Sequence, residues 1–184
     1  LMACRNMPWI MKKADCQDFS LQGKMGKELS LSTVGVIGTG SIGKTVVKHL
    51  SGFGCRILAH SYVEDDEVKP YAEYVSFEEL IEKSDVITLH VPGNAENTHL
   101  LDAAAFEKMK DGVILINNSR GQLVVERDLA DALNSGKVYA AGLDVVSTEP
   151  IKGDNPLLGA KNCIITPHIS WAPKESRKRL MDIA

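Results

Sequence analysis

Three polar residues each follow a β-rich run: Arg120 in NNSRG after GVILI, Glu149 in GLDVVSTEP, and His168 in TPHIS after NCII. A guanidinium, a carboxylate and an imidazole brought to one place suit the reduction of a 2-oxoacid. The guanidinium binds the substrate carboxylate bidentately and polarises the adjacent ketone. Hydride addition builds alkoxide charge, so an imidazolium must deliver a proton as that charge develops. A carboxylate beside the imidazole favours its charged form and fixes its tautomer. Arg120, His168 and Glu149 fit these roles in that order. Singly, each has a plainer explanation: a surface ion pair, a solvated glutamate before proline, a histidine capping a turn. A nucleotide loop on the same sheet edge reverses that balance. His49, His60, His90 and His99 lack comparable partners and read as structural or exposed.

That loop is VGVIGTGSIGKTVV, residues 34–47, in which two signatures overlap. Gly38, Gly40 and Gly43 spell the dinucleotide pattern GxGxxG. The first glycine makes the turn out of the strand, the second admits the pyrophosphate, and the third lets helix and strand pack closely. The helix N-terminus adds unpaired N–H groups and partial positive charge. Gly38, Gly43, Lys44 and Thr45 also spell the P-loop pattern GxxxxGK[ST], in which Lys44 would reach terminal phosphates and Thr45 would hold Mg²⁺, helped by Asp144 at a strand end. Glycines in such a turn can also serve packing alone. The carboxylate expected about 20 residues on, which binds the ribose hydroxyls in NAD proteins, is replaced by Ser61 at the end of RILAHS. Locally, the readings stay close.

These residues need a scaffold. From Thr33 onward the runs TVGVI, CRILAH, DVITLH, GVILIN, YAAGLDV and NCIITP alternate with the helical patterns IGKTVVKHLSGFG, FEELIEKS, DAAAFEKMK and ERDLADALNSGK. Strands alternating with helices predict right-handed βαβ units. The nearly continuous apolar strands predict burial on both sides. The expected fold is α/β, a Rossmann-type doubly wound parallel sheet with helices on both faces, over residues 31–184. Asp102 and Glu126 are read in first helical turns, and Gly136 as the residue that ends a helix. Residues 1–30 carry glycine and proline interruptions and no clear strand, and read as an arm that packs on something else.

Composition bounds the rest. The 184 residues, 44% hydrophobic, can bury one substantial core. The 21 basic against 24 acidic residues, net charge −3, include no basic block, which argues against nucleic acid. No apolar run reaches the roughly 18 to 20 residues of a membrane span, and nothing at the start resembles a signal peptide. A cytoplasmic protein without a membrane partner is expected. Cys4, Cys16, Cys55 and Cys163 form no C-x-x-C pair, so neither a metal site nor a disulfide framework is indicated. The chain opens on Leu1 and stops at Ala184 inside a helical pattern, which reads as part of something longer.

The combination GTGSIG, NNSRG, LDVVSTEP and TPHIS resembles the D-isomer-specific 2-hydroxyacid dehydrogenase family over nearly the whole chain. The resemblance implies a dinucleotide, with Lys44 and Thr45 as ordinary helix residues. It implies Arg120 for substrate carboxylate and carbonyl, His168 as proton donor and Glu149 as its partner. Ser41 and Ile42 would meet the pyrophosphate. Val91, Pro92 and Asn97 would surround the adenosine, and Asn118, Ser119 and Asp144 would line the nicotinamide end. The family's usual aspartate stands as Ser61 here, which weakens the bias against NADP, yet Glu64, Asp65, Asp66 and Glu67 follow and would repel a 2′-phosphate. NAD is the expected cofactor, with NADP as the other candidate. A small 2-oxoacid or 2-hydroxyacid, of the glycerate or lactate type, is the expected substrate. Members of the family are longer, so the substrate domain is largely missing from this chain and weak or no turnover is expected of it alone. The arm over residues 1–30 is expected at a homodimer interface. A nucleotide-sensing binding module of the same fold is the alternative function.

Overall fold

The computed structural model describes residues 25–183. Seven strands form one sheet: β1 (Thr33–Ile37), β2 (Arg56–His60), β3 (Glu73–Tyr74), β4 (Val86–Leu89), β5 (Val113–Asn117), β6 (Val138–Leu143) and β7 (Cys163–Ile165). Their order is β3-β2-β1-β4-β5-β6-β7, and every pairing is parallel. The order reverses between β1 and β4, the place where open parallel sheets leave a crevice beyond their carboxyl ends. The expected doubly wound sheet is therefore present, and six of its strands lie where the apolar runs placed them. The seventh, β3, is only Glu73–Tyr74 at the sheet edge, too short to carry a period.

The described residues include five α-helices, α1 (Ser41–Ser51), α2 (Phe77–Lys83), α3 (Ala103–Lys108), α4 (Glu126–Ser135) and α5 (Lys174–Ile183). Alternation along the strands sends side chains into two cores. Val34, Val36, Ile57, Ala59 and Ile114 meet Val47 of α1 on one face. Ile37, Leu58, Ile87, Leu89, Val113 and Leu115 meet Leu80 of α2, Phe106 of α3, and Leu129 and Leu133 of α4 on the other. Each such side chain contributes on the order of 1.5–3 kcal/mol by leaving water.

Helix ends are fixed locally. Ser76 accepts the Glu79 amide and caps α2. Asp102, expected inside the first turn of α3, is instead its cap, accepting the Ala105 amide at 2.9 Å. Such caps stabilise by about 1 kcal/mol each. Gly136 ends α4 at φ 86°, as its position predicts. The expected arm over residues 1–30 lies, for residues 1–24, outside the described residues. No helix among the described residues is long and apolar enough to cross a membrane.

Candidate active site

The glycine loop leaves β1 at the switch point and enters α1. Gly38 takes φ 92° and donates its amide to the His60 carbonyl at 2.8 Å. A side chain there would meet the His90 carbonyl oxygen at 2.7 Å. A Cβ on Gly43 would collide with the Gly38 carbonyl oxygen, so helix and strand approach as closely as the third glycine of the pattern allows. Gly40, the residue before α1, differs: a Cβ there would meet nothing within 4 Å. The second glycine thus borders open space at the helix N-terminus, where no acidic residue in the first turn offsets the helix dipole. Ser41 and Ile42 open that turn, and Ile42 is 69% exposed.

The residues of the P-loop pattern are otherwise engaged. Lys44 Nζ pairs with Asp65 at 2.8 Å and Glu67 at 3.1 Å, while the Thr45 hydroxyl donates to the Ser41 carbonyl at 2.9 Å. Asp144 serves the β7 loop. Its carboxylate accepts from the Thr166 hydroxyl and from the amides of Ile169 at 2.9 Å and Ser170 at 2.7 Å. The Mg²⁺-phosphate alternative for these three residues is corrected accordingly.

Beside the loop, a cleft of about 340 Å³ is lined by Gly38, Gly40, Ser61, Val91, Pro92 and Asn97, all expected there, and by His60, Tyr62, Phe77, His90 and Leu100, which were not. Asn97 is 3% exposed and shapes the β4 loop, with its amide nitrogen donating to the Pro92 carbonyl at 3.1 Å. Tyr62 donates across to Asn97 Oδ1 at 3.2 Å. His90 hydrogen-bonds Thr88 at 3.0 Å, and burial pushes its imidazole down to about 4, so it is neutral at physiological pH. His60 and His90 directly follow or end strands at the switch point. That position, and not their local partners, was the available signal.

Around Ser61 a second opening includes Thr39, Gly40, Val63 and the acids Glu64, Asp65, Asp66 and Glu67. These carboxylates do not stand alone. Lys44 meets Asp65 and Glu67, Lys48 meets Glu67 at 2.8 Å, and Lys69 meets Glu64 at 3.3 Å and Asp66 at 2.9 Å. Each of the four carboxylates expected to repel a 2′-phosphate is thus paired with a lysine.

At the β5 end, Asn117 is 1% exposed and braces the turn that carries Arg120. Its amide donates to the Arg120 carbonyl at 2.9 Å, and its oxygen accepts the Ser119 amide at 3.0 Å. Ser119 donates to the Val91 carbonyl at 2.6 Å, tying this turn to the β4 loop. Gly121 packs so tightly on the Val146 backbone that any side chain would collide. The turn after β5 and the loop after β6 are thereby locked together, while Asn118 and the exposed Arg120 stay on the accessible edge.

Glu149 and His168 come together. Glu149 Oε2 lies 2.7 Å from His168 Nδ1, and Oε1 accepts the Val146 amide at 3.2 Å. Hydrogen bonding to His168 holds the Glu149 carboxyl below the usual range, with partial burial opposing and the Val146 amide assisting. His168 sits at φ 52°, a left-handed backbone held by its own amide to the Thr166 carbonyl and by the Asp144 contacts to the next two residues. Glu126, at the start of α4, accepts from the Ser147 amide, the Ser147 hydroxyl and the Asn155 amide group, fixing the loop that presents Glu149. Sequence reasoning missed Glu126 and Asn117 because their partners lie far along the chain or inside a turn. One edge thus gathers a dinucleotide-shaped turn, an exposed guanidinium and a carboxylate–imidazole pair, which can bind an anionic carbonyl compound and pass it a proton.

Comparison with known proteins agrees with this geometry. The family model described as the NAD-binding domain of D-isomer-specific 2-hydroxyacid dehydrogenases matches residues 1–170. A hydroxypyruvate reductase of Blautia hydrogenotrophica is 60% identical over 158 residues, covering 85% of this chain and 49% of its own length. A D-lactate dehydrogenase of Lactiplantibacillus plantarum is 39% identical over 181 residues, covering 91% of this chain and 54% of its own. Among solved structures, a D-lactate dehydrogenase from Aquifex aeolicus, complexed with NAD and lactic acid, is similar at a TM-score of 0.91 and 33% identity, covering 99% of this chain and 60% of that one. The chain spans about half the length of the curated relatives it matches.

Proposed function

Because the chain belongs to the D-isomer-specific 2-hydroxyacid dehydrogenase family, as its NAD-binding domain, we propose that the protein it forms part of reversibly reduces a small 2-oxoacid to a D-2-hydroxyacid. The observation that carries this reading is the 2.7 Å pair of Glu149 and His168 on the edge shared with the glycine loop. The loop fits a dinucleotide: open space beside Gly40, a helix N-terminus at Ser41 and Ile42 without an acidic residue in its first turn, and an adjoining cleft of about 340 Å³. NAD(H), when bound, supplies or accepts the hydride. Gly38, Gly40, Ser41, Ile42 and Gly43 would hold the pyrophosphate, Val91, Pro92 and Asn97 the adenosine, and Asn118, Ser119 and Arg120 the nicotinamide end, with Asp144 bracing the Thr166–Ser170 turn beside it.

Arg120 binds the substrate carboxylate and polarises the ketone. His168 places its proton on the developing alkoxide oxygen, and Glu149 holds the ring by Nδ1 so that Nε2 faces the substrate. The 60% identity to a hydroxypyruvate reductase favours hydroxypyruvate and D-glycerate as the substrate pair over pyruvate and lactate. The reading also includes a homodimer, with the arm over residues 1–30 against a second copy, and a cytoplasmic location, which its composition supports. Calorimetric titration with NADH tests the first step: binding is expected, and no binding would remove the reading. Comparing NADH oxidation by the whole protein with hydroxypyruvate and with pyruvate tests the substrate.

A further inference from the structure

The ribose end of the cleft lacks its usual acid. Ser61 stands at the end of β2, and a hydroxyl carries no charge with which to reject a 2′-phosphate. The loop that follows is nonetheless built against the glycine turn. The Tyr74 hydroxyl is shared between the Thr39 hydroxyl at 2.8 Å and the Asp65 amide at 2.9 Å, so the two loops meet through one side chain. The Asp65 carboxylate is divided between two jobs. Oδ1 accepts the Glu67 amide at 2.8 Å, and Oδ2 meets Lys44 Nζ at 2.8 Å on the first turns of α1. Asp65 lines the same opening as Thr39, Gly40 and Ser61.

We propose that Asp65, held in place by Tyr74 and Lys44, replaces the missing strand-end acid as the residue that selects NAD(H) over NADP(H). The proposal concerns the cofactor cleft already described and rests on the reading of that cleft as a dinucleotide site. A 2′-phosphate entering beside Ser61 would face the Asp65 carboxylate, and the hydrogen bond from Lys44 keeps that carboxyl below its usual range and hence charged. The lysine cannot turn to the phosphate without leaving Asp65 and Glu67. Selection therefore comes from an ion pair, not from an acid bonded to the ribose hydroxyls: the anion is repelled, and Lys44 in the first turn of α1 is already committed. Neutralising Asp65 removes the repulsion and leaves Lys44 held by Glu67 alone.

Asp65→Asn is the informative variant because its side-chain oxygen can still accept the Glu67 amide, which preserves the loop. The 184-residue chain and its variants are titrated with NADH and NADPH by calorimetry. The unaltered chain is expected to prefer NADH, and Asp65→Asn to shift the ratio of the two dissociation constants toward NADPH by about tenfold, chiefly through tighter NADPH binding. Adding Lys44→Met to Asp65→Asn is expected to cancel most of the gain, since the ammonium then held by Glu67 alone is gone. An unchanged ratio in Asp65→Asn would overturn the proposal, as would a shift that survives Lys44→Met in full. Failure of the unaltered chain to bind either nucleotide would instead remove the dinucleotide reading itself, so the two failures are distinguishable.

Discussion

Glu149 and His168 arrive from the loops after β6 and β7, yet their side chains meet at 2.7 Å, and the second carboxylate oxygen is anchored to the Val146 amide. The pair is thus oriented by backbone before any substrate arrives. Since His168 is the main cause of the lowered Glu149 pKa, His168→Asn should return it upward toward its ordinary value. Carboxyl carbon shifts followed by NMR against pH would show the change, and an unmoved titration would break the pairing. In the whole protein proposed above, Glu149→Gln should lower the reduction rate, because the carboxylate that orients the His168 ring is withdrawn.

The glycine turn offers a contrast within three residues. Gly43→Ala should destabilise the domain by about 3 kcal/mol, as the methyl is forced into the Gly38 carbonyl. Gly40→Ala should leave stability nearly unchanged, since its Cβ meets nothing, while weakening NADH binding by filling the approach to the pyrophosphate. Urea denaturation beside calorimetric titration separates the two. Equal loss of stability in both variants would contradict the packing described.

His90 should make the domain acid-sensitive. Its pKa in the folded state is about 4, against 6.5 when exposed, so below pH 6.5 the unfolded chain takes up a proton that the folded one refuses. Stability is unaffected above that range and falls as pH drops from 6.5 toward 4, by up to about 3 kcal/mol from this group. Chemical denaturation at pH 7 and pH 4.5 should show a smaller difference for His90→Gln than for the unaltered chain.

Asp144 contributes in the same direction. Burial raises its carboxyl, but hydrogen bonds from Thr166, Ile169 and Ser170 outweigh this and hold it below the usual range. Its stabilisation is present at neutral pH and is lost as pH falls through that depressed value. Asp144→Asn should cost roughly 2 kcal/mol, because an amide group meets donors that need an acceptor. Amide exchange at Ile169 and Ser170 should accelerate more than exchange in the β1 core. Uniform acceleration would mean that Asp144 does not act on the His168 turn in particular.

The sequence by itself determined the sheet, six of its strands and four of its helices, because apolar period and turn chemistry are local: TVGVI, DVITLH and GVILIN could bury both faces only in a parallel sheet. It also placed Arg120, Glu149 and His168 on one edge, since every strand of a parallel sheet ends on the same side. What only the tertiary structure decided involves partners distant along the chain or folded back inside a turn. The GKT coincidence ended when Lys44 met Asp65, 21 positions away. Asp65 and Glu67 became ion-pair partners of Lys44 and Lys48. Asp144 took up the Thr166–Ser170 turn, and Asn117 and Glu126 became the braces of Arg120 and Glu149. A charge's role depends on which opposite charge the fold brings within about 3 Å, and a partner distant along the chain leaves no local mark in the sequence.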